Sequence, residues 1–174
     1  MNDYARDAGV RREVAPRYLA PLSRAEALRL LGGVPLGRIV FTHQALPAVR
    51  PANHCLDGGD VVVGIHDGTT LASLTPPADG PGLVVAYEAD VIDMVTRRGW
   101  SVAVTGYAHL VTDPDLLDHY RSTLRPWVAG ALDHALRIQP DVVTGFRLAS
   151  DPSAVTGSAA ADAPGEAAAV PPSA

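Results

Sequence analysis

Between residues 37 and 66 three strand-like strings follow one another with almost no chain between them: "GRIVFTH" (37–43), "PAVRPANHCL" (47–56) and "DVVVGIH" (60–66). The breaks are Gln44–Leu46 and Asp57-Gly58-Gly59, too short for a helical crossover, so the three strings predict an antiparallel meander. Pro47 and Pro51 cannot donate to a ladder, which confines them to strand starts, edges or bulges and makes the second strand irregular. Further on, "GLVVAYEAD" (82–90) and "GWSVAVTGYAHLV" (99–111) read as two longer strands. In the latter Trp100, Val102, Val104, Gly106, Ala108 and Leu110 share one face, and Gly106 marks a bend or bulge. "DVVTGFRLAS" (141–150) reads as a last strand.

Two helices are expected at the periphery. Ser23 caps "LSRAEALRLLGGV", with Glu26 in the capping-box position, Leu28 and Leu31 facing the core, and Gly32-Gly33 ending it. Asp113 caps a second helix with Pro114 at its first position, and Pro126 is expected to break it near Arg125. Five or six short antiparallel strands with few helices predict a mainly β protein, a small barrel. The division expected is an arm over residues 1–20, one compact unit over 21–150, and a tail over 151–174. That Ala/Pro/Gly/Ser-rich tail cannot bury enough apolar surface to offset its chain entropy and is expected to be disordered.

The core must come from Val, Leu, Ile and Ala, since the chain has only two Phe, two Trp and five Tyr while being 47% hydrophobic. The formal charge of −5 argues against a general nucleic-acid binder. All fourteen basic residues are arginine, a usage that suggests a GC-rich genome. No apolar run reaches the length of a membrane span, and the charged N-terminus has no signal-peptide core, so a cytoplasmic protein is expected.

The single cysteine, Cys55, excludes an intramolecular disulfide and a thiolate-rich zinc site. Neither Ser73 nor Ser101 sits in a nucleophile elbow, so no catalytic residue is assigned. His43, His54 and His66 lie near strand ends, but the alternating strand directions do not bring all three together, and no metal site is assigned. "GIHDGTTLASL" (64–74) is a strand-to-helix turn. Helix N-terminal amides, Gly68 and the Thr69 and Thr70 hydroxyls are able to cradle a phosphate, although alone the string reads as a plain capped turn. Arg97 and Arg98 are equipped to pair with an oxyanion, or with Asp90 and Asp93, the latter an i,i+4 pair in a helix. The Trp100 ring either covers a flat ligand or plugs the barrel.

Taken in order, "LGRIVFT", "LPAVRPANHCLDGGDVVVGIHDGTTLASL", "VVAYEADVIDMVTRRGWSVAVTGYAHLV" and "IQPDVVTGFRL" resemble the pyridoxamine 5'-phosphate oxidase-like flavin-binding split-barrel family, nearest its actinobacterial, nitroimidazole-resistance-protein-like branch. The resemblance implies a six-stranded antiparallel split β-barrel and a homodimer with FMN at the subunit interface. It places Arg50, Pro51, Ala52, Asn53 and His54 beside the flavin, His66, Thr69 and Thr70 at its phosphate, and Trp100 and Ser101 on the strand that closes the cleft. It implies oxidoreductase chemistry on a small planar substrate. Thr70 stands where many relatives carry lysine, and pyridoxal-phosphate-binding residues are not matched, which argues against pyridoxamine-phosphate oxidase activity itself. A deazaflavin coenzyme on the same fold is one alternative. A non-catalytic flavin- or heme-binding module, with His43, His54, His66 or His109 as axial ligand, is another.

Overall fold

The computed structural model describes residues 17–65, 70–77, 79–124 and 132–150. The elements run β1 (Tyr18–Pro21), α1 (Arg24–Leu31), β2 (Leu36–His43), β3 (Leu46–Asp57), β4 (Asp60–Ile65), α2 (Thr70–Leu74), β5 (Leu83–Asp93), β6 (Arg98–Leu110), α3 (Pro114–Thr123) and β7 (His134–Ala149). The sheet order is β1-β7-β4-β3-β2-β5-β6, and β6 pairs again with β7. That second pairing closes β2–β7 into a six-stranded antiparallel barrel, with β1 as a short seventh strand on the end of β7.

The meander forms as expected: β2 pairs with β3 and β3 with β4, through two-residue turns at Gln44-Ala45 and Gly58-Gly59. Gln44 and Ala45 both adopt positive φ, 50° and 61°, a conformation that costs a non-glycine residue on the order of 1 kcal/mol. The barrel is split between β3 and β4. Their pairing covers only His54–Asp57 against Asp60–Val63, and Leu46–Ala52 have no strand partner on that side among the described residues. The His54 amide donates to Pro35 O at 3.1 Å, which fixes the phase of the β2–β3 ladder. Hydrogen-bonded pairs alternate, so Ala52, Arg50 and Ala48 turn their backbone groups to β2, while Pro51, Val49 and Pro47 turn theirs to the split. The prolines occupy positions where the β2–β3 ladder needs no N–H.

Inward-facing side chains alternate along each strand. Ile39 and Phe41, Val61 and Val63, Val85, Tyr87 and Ala89, Trp100, Val102 and Val104, and Leu136 and Ile138 form one core, covered at one end by Ala27 and Leu31 of α1. β4 is buried on both faces, since Val62 turns outward to meet Tyr120 and Leu124 of the α3 region. Arg137 ties this layer down. Its guanidinium bonds Asp57 at 2.7 Å and Asp60 at 3.0 Å, and Tyr120 Oη donates to Asp57 at 2.5 Å.

Gly106 sits at a bulge: Thr105 pairs with Val142 but Gly106 with Pro140, leaving Asp141 as the extra residue of β7. The insertion shifts the alternation of β7 by one. Leu136 and Ile138 point inward before it, and Val143 and Gly145 after it, so Val142 and Phe146 face outward.

Several expectations need adjustment. β7 begins at His134 rather than at Asp141, and the last residues of the expected arm, Tyr18–Ala20, belong to β1. Ser23 accepts from the Glu26 amide at 3.3 Å, but the Glu26 carboxylate does not return to cap Ser23; it bonds Arg147 at 2.5 Å. Asp93 and Arg97 are not a helical ion pair. Asp93 Oδ1 instead accepts from the Val95 and Thr96 amides at 2.8 and 2.7 Å, capping the β5–β6 turn. The expected break at Pro126 and the 151–174 tail lie outside the described residues.

Candidate functional site

β2, β3 and β5 border a cleft of about 210 Å³ lined by Leu36, Gly37, Arg38, Pro51 and Asp90. Arg38 pairs in register with both Pro51 and Glu88, so its side chain stands on the outer surface between two strands. Its guanidinium lies 3.4 Å from Glu88 and 3.1 Å from Asp90. Ser101 Oγ donates to the other Glu88 oxygen at 3.3 Å. One cation therefore serves two carboxylates at the rim. All four groups are partly or fully exposed, so their pairing contributes orientation more than stability.

The floor of the cleft is Gly37. A Cβ there would fall 2.4 Å from Glu88 O and 2.7 Å from the Tyr87 ring, so glycine alone lets β2 lie this close to β5. Beneath it, Tyr87 Oη lies 2.7 Å from Ala52 O and 2.8 Å from His54 Nδ1, while His54 Nε2 lies 2.9 Å from Leu31 O, a carbonyl in the last turn of α1. Burial raises the Tyr87 phenol well above its ordinary range and lowers the His54 imidazole, the latter partly offset by the bond to Leu31.

The lowered His54 value has a consequence for stability. The unfolded chain takes up a proton near 6.5 that the folded protein resists. The neutral ring's contribution is therefore complete above pH 6.5 and is lost as pH falls through the depressed folded value. Urea midpoints measured at pH 7.5, 6.5 and 5.5 are expected to fall in that order, and His54→Gln is expected to flatten the trend.

The residues singled out from sequence divide into groups. Arg50 and Pro51 are exposed on the open edge of β3, and Arg50 Nη1 bonds the adjacent Val49 carbonyl at 2.9 Å. Ala52, Asn53 and His54 are buried, and the His54 ring points into the core toward Tyr87. Trp100 is 9% exposed inside the core cluster, so its indole plugs the barrel. Ser101, one residue on, faces outward and reaches the cleft rim through Glu88. Thr70 is the first residue of α2, and His66 and Thr69 lie outside the described residues. Arg38, Glu88 and Tyr87 were not anticipated, and Asp90, considered as a partner for Arg97 or Arg98, pairs with Arg38 instead. Alternation in "GRIVF" and "VVAYEAD" puts the three charged residues on outward faces, but only the β2–β5 register brings them together.

The barrel with one seam left open defines a split β-barrel. The pyridoxamine 5'-phosphate oxidase family matches residues 23–147, and the chain belongs to it. An uncharacterized Mycobacterium tuberculosis protein, Rv0080, is 44% identical over 135 residues, covering 78% of this chain and 89% of its own. Among solved structures, an FAD binding protein from Mycobacterium smegmatis is 30% identical, with a TM-score of 0.56 over 75% of this chain and 99% of that one. A putative pyridoxamine 5'-phosphate oxidase from Corynebacterium glutamicum is 26% identical, with a TM-score of 0.60 over 75% and 93%. Among the described residues no helix is long and apolar enough to cross a membrane.

Proposed function

We propose that this protein binds a flavin nucleotide, FMN or FAD, along the open edge of β3, and that it works as a homodimeric oxidoreductase on a small planar substrate. The observation that carries the reading is that edge itself. Among the described residues Leu46–Ala52 lack a strand partner on the side of the split; Pro51 lines the cleft, and the exposed Arg50, paired with Ile39, stands on the other face of the same edge. The 30% identical M. smegmatis relative, an FAD binding protein, supports a flavin and sets FAD beside FMN.

The chain's own groups fit such a ligand. Arg50 extends an exposed guanidinium whose fork matches a phosphate oxygen pair, in a chain that has no lysine. The Val49 amide faces the split. Arg38 is held by two carboxylates and orients the rim rather than an anion. The cleft of about 210 Å³ falls below the ~300–1,000 Å³ usual for small-molecule sites, which fits a ligand that one chain encloses in part and a second copy completes. The outward face of β5, β6 and β7 suits that second copy. Val84, Tyr107, Val142 and Phe146 are exposed there around the small side chains Ala86 and Ala103. A bound flavin would supply hydride or single-electron transfer, and the protein would supply position and electrostatics.

The test is an absorption spectrum of the purified protein before and after adding FMN or FAD, followed by gel filtration. Flavin bands near ~450 nm that travel with a dimer-sized peak are expected. Arg50→Ala is expected to weaken binding by about 10-fold or more, the worth of one charge-assisted bond. A protein that refuses both flavins would sink the proposal. Parallel titrations with a deazaflavin coenzyme and with hemin test the two other cofactors. Against heme, both ring nitrogens of His54 are already engaged, so an axial bond there would break a core hydrogen bond.

A further inference from the structure

The hydrogen-bond chain under the cleft has more acceptors than a neutral histidine can satisfy. Leu31 O and Ala52 O only accept, so Nε2 must carry a proton to bond Leu31. In the neutral ring Nδ1 is then an acceptor as well. The single Tyr87 O–H faces two acceptors, Nδ1 at 2.8 Å and Ala52 O at 2.7 Å, and can serve one fully. When the ring carries both protons, Nδ1–H donates to Tyr87 Oη, Tyr87 O–H donates to Ala52 O, and each of the three contacts has its own hydrogen.

We propose that His54 and Tyr87 form a proton-dependent latch that sets how β3 is held beside the cleft. With His54 neutral, Tyr87 O–H turns to Nδ1, which has no other donor in this chain of bonds, and Ala52 O keeps only its ladder bond to β2. With His54 protonated, Tyr87 bonds Ala52 O and anchors β3 to β5 directly beneath Gly37 and next to Pro51. Among the described residues no charged side chain intervenes. α1 presents the Leu31 carbonyl, β4 presents Val63 opposite His54, β2 presents Gly37, and β5 presents Tyr87. Glu88 faces the outer surface with Arg38, and on β3 itself Cys55 faces the α3 layer, with Asp57 held by Arg137 and Tyr120. His54 and Tyr87 are thus positioning residues, acting through the Ala52 carbonyl.

Only the effect on cofactor affinity rests on the flavin reading above. The primary measurement is an NMR titration of the full chain without cofactor, from pH 7.5 to 5. The His54 ring is expected to titrate with a midpoint below 6.5, and the Gly37 and Asn53 amides are expected to follow the same midpoint. In Tyr87→Phe the ring should still titrate while the amides stop following it. Flavin affinity should rise about 3- to 10-fold on passing below the midpoint in the parent protein, the worth of one net hydrogen bond, and should stay flat in Tyr87→Phe. Amides that ignore the His54 titration, or that follow it undiminished in Tyr87→Phe, would overturn the latch, as would a ring that stays neutral to pH 5. Should Tyr87→Phe not fold, the parent titration alone decides. If the amides respond as expected but no flavin binds at any pH, the latch stands and the flavin assignment falls.

Discussion

Replacing Gly106 with alanine is expected to remove about 4 kcal/mol of stability, a large share of the ~5–15 kcal/mol that holds a domain folded. The added Cβ would sit 1.9 Å from the Gln139 carbonyl oxygen and 3.2 Å from the Asp141 amide. Both are backbone atoms at the bulge, so no side-chain rotation relieves the clash. The strands must separate where β6 meets β7, and that pairing is what closes the barrel. Urea unfolding followed by far-UV circular dichroism is the measurement. A midpoint within experimental error of the parent's would mean that the bulge slides to accommodate the methyl group, and that Asp141 does not pin the register.

The second large effect belongs to Trp100. Trp100→Ala is expected to cost about 3–5 kcal/mol, as for other large buried aromatics, because the indole fills the barrel among residues such as Val102 and Ala89. Trp100→Phe keeps much of that volume, should remain folded, and is expected to bind flavin within about twofold of the parent, a change of less than one net hydrogen bond. The two variants separate packing from ligand contact. A Trp100→Phe protein that is stable but loses flavin would move the indole's main role from the core to the site.

These two positions also show what can be read without coordinates. A lone glycine inside the alternating string "GWSVAVTGYAHLV" announces a bulge, and alternation alone sorts Trp100, Val102 and Val104 from Ser101 and Ala103. Ser23 and Asp113 announce the helix starts because capping is local. What stayed hidden is non-local. The extra residue Asp141 lies on a different strand from Gly106, and it reverses which side chains of β7 face inward. Pro140 and the two buried faces around Arg137 disguise the first part of β7, since no simple alternation survives there. β1 is only four residues long and exists through its pairing with the far end of β7. For the same reason Arg38, Glu88 and Asp90 could not be joined in advance. His54 and Tyr87, 33 residues apart, meet only because β3 and β5 both flank β2.

The prolines of β3 have a consequence beyond their tolerance in a strand. Along the split, Pro47, Val49 and Pro51 together present three carbonyls, that of Val49 already accepting from Arg50, and a single N–H. An incoming β-strand, whether from β4 or from another molecule, would find most of its own carbonyls facing no donor, so the seam resists both zipping shut and recruiting foreign chains into aggregates. Its polarity is lopsided in favour of guests that bring hydrogens of their own. The split thus stays open by omission, through the two amide protons that residues 47 and 51 do not have.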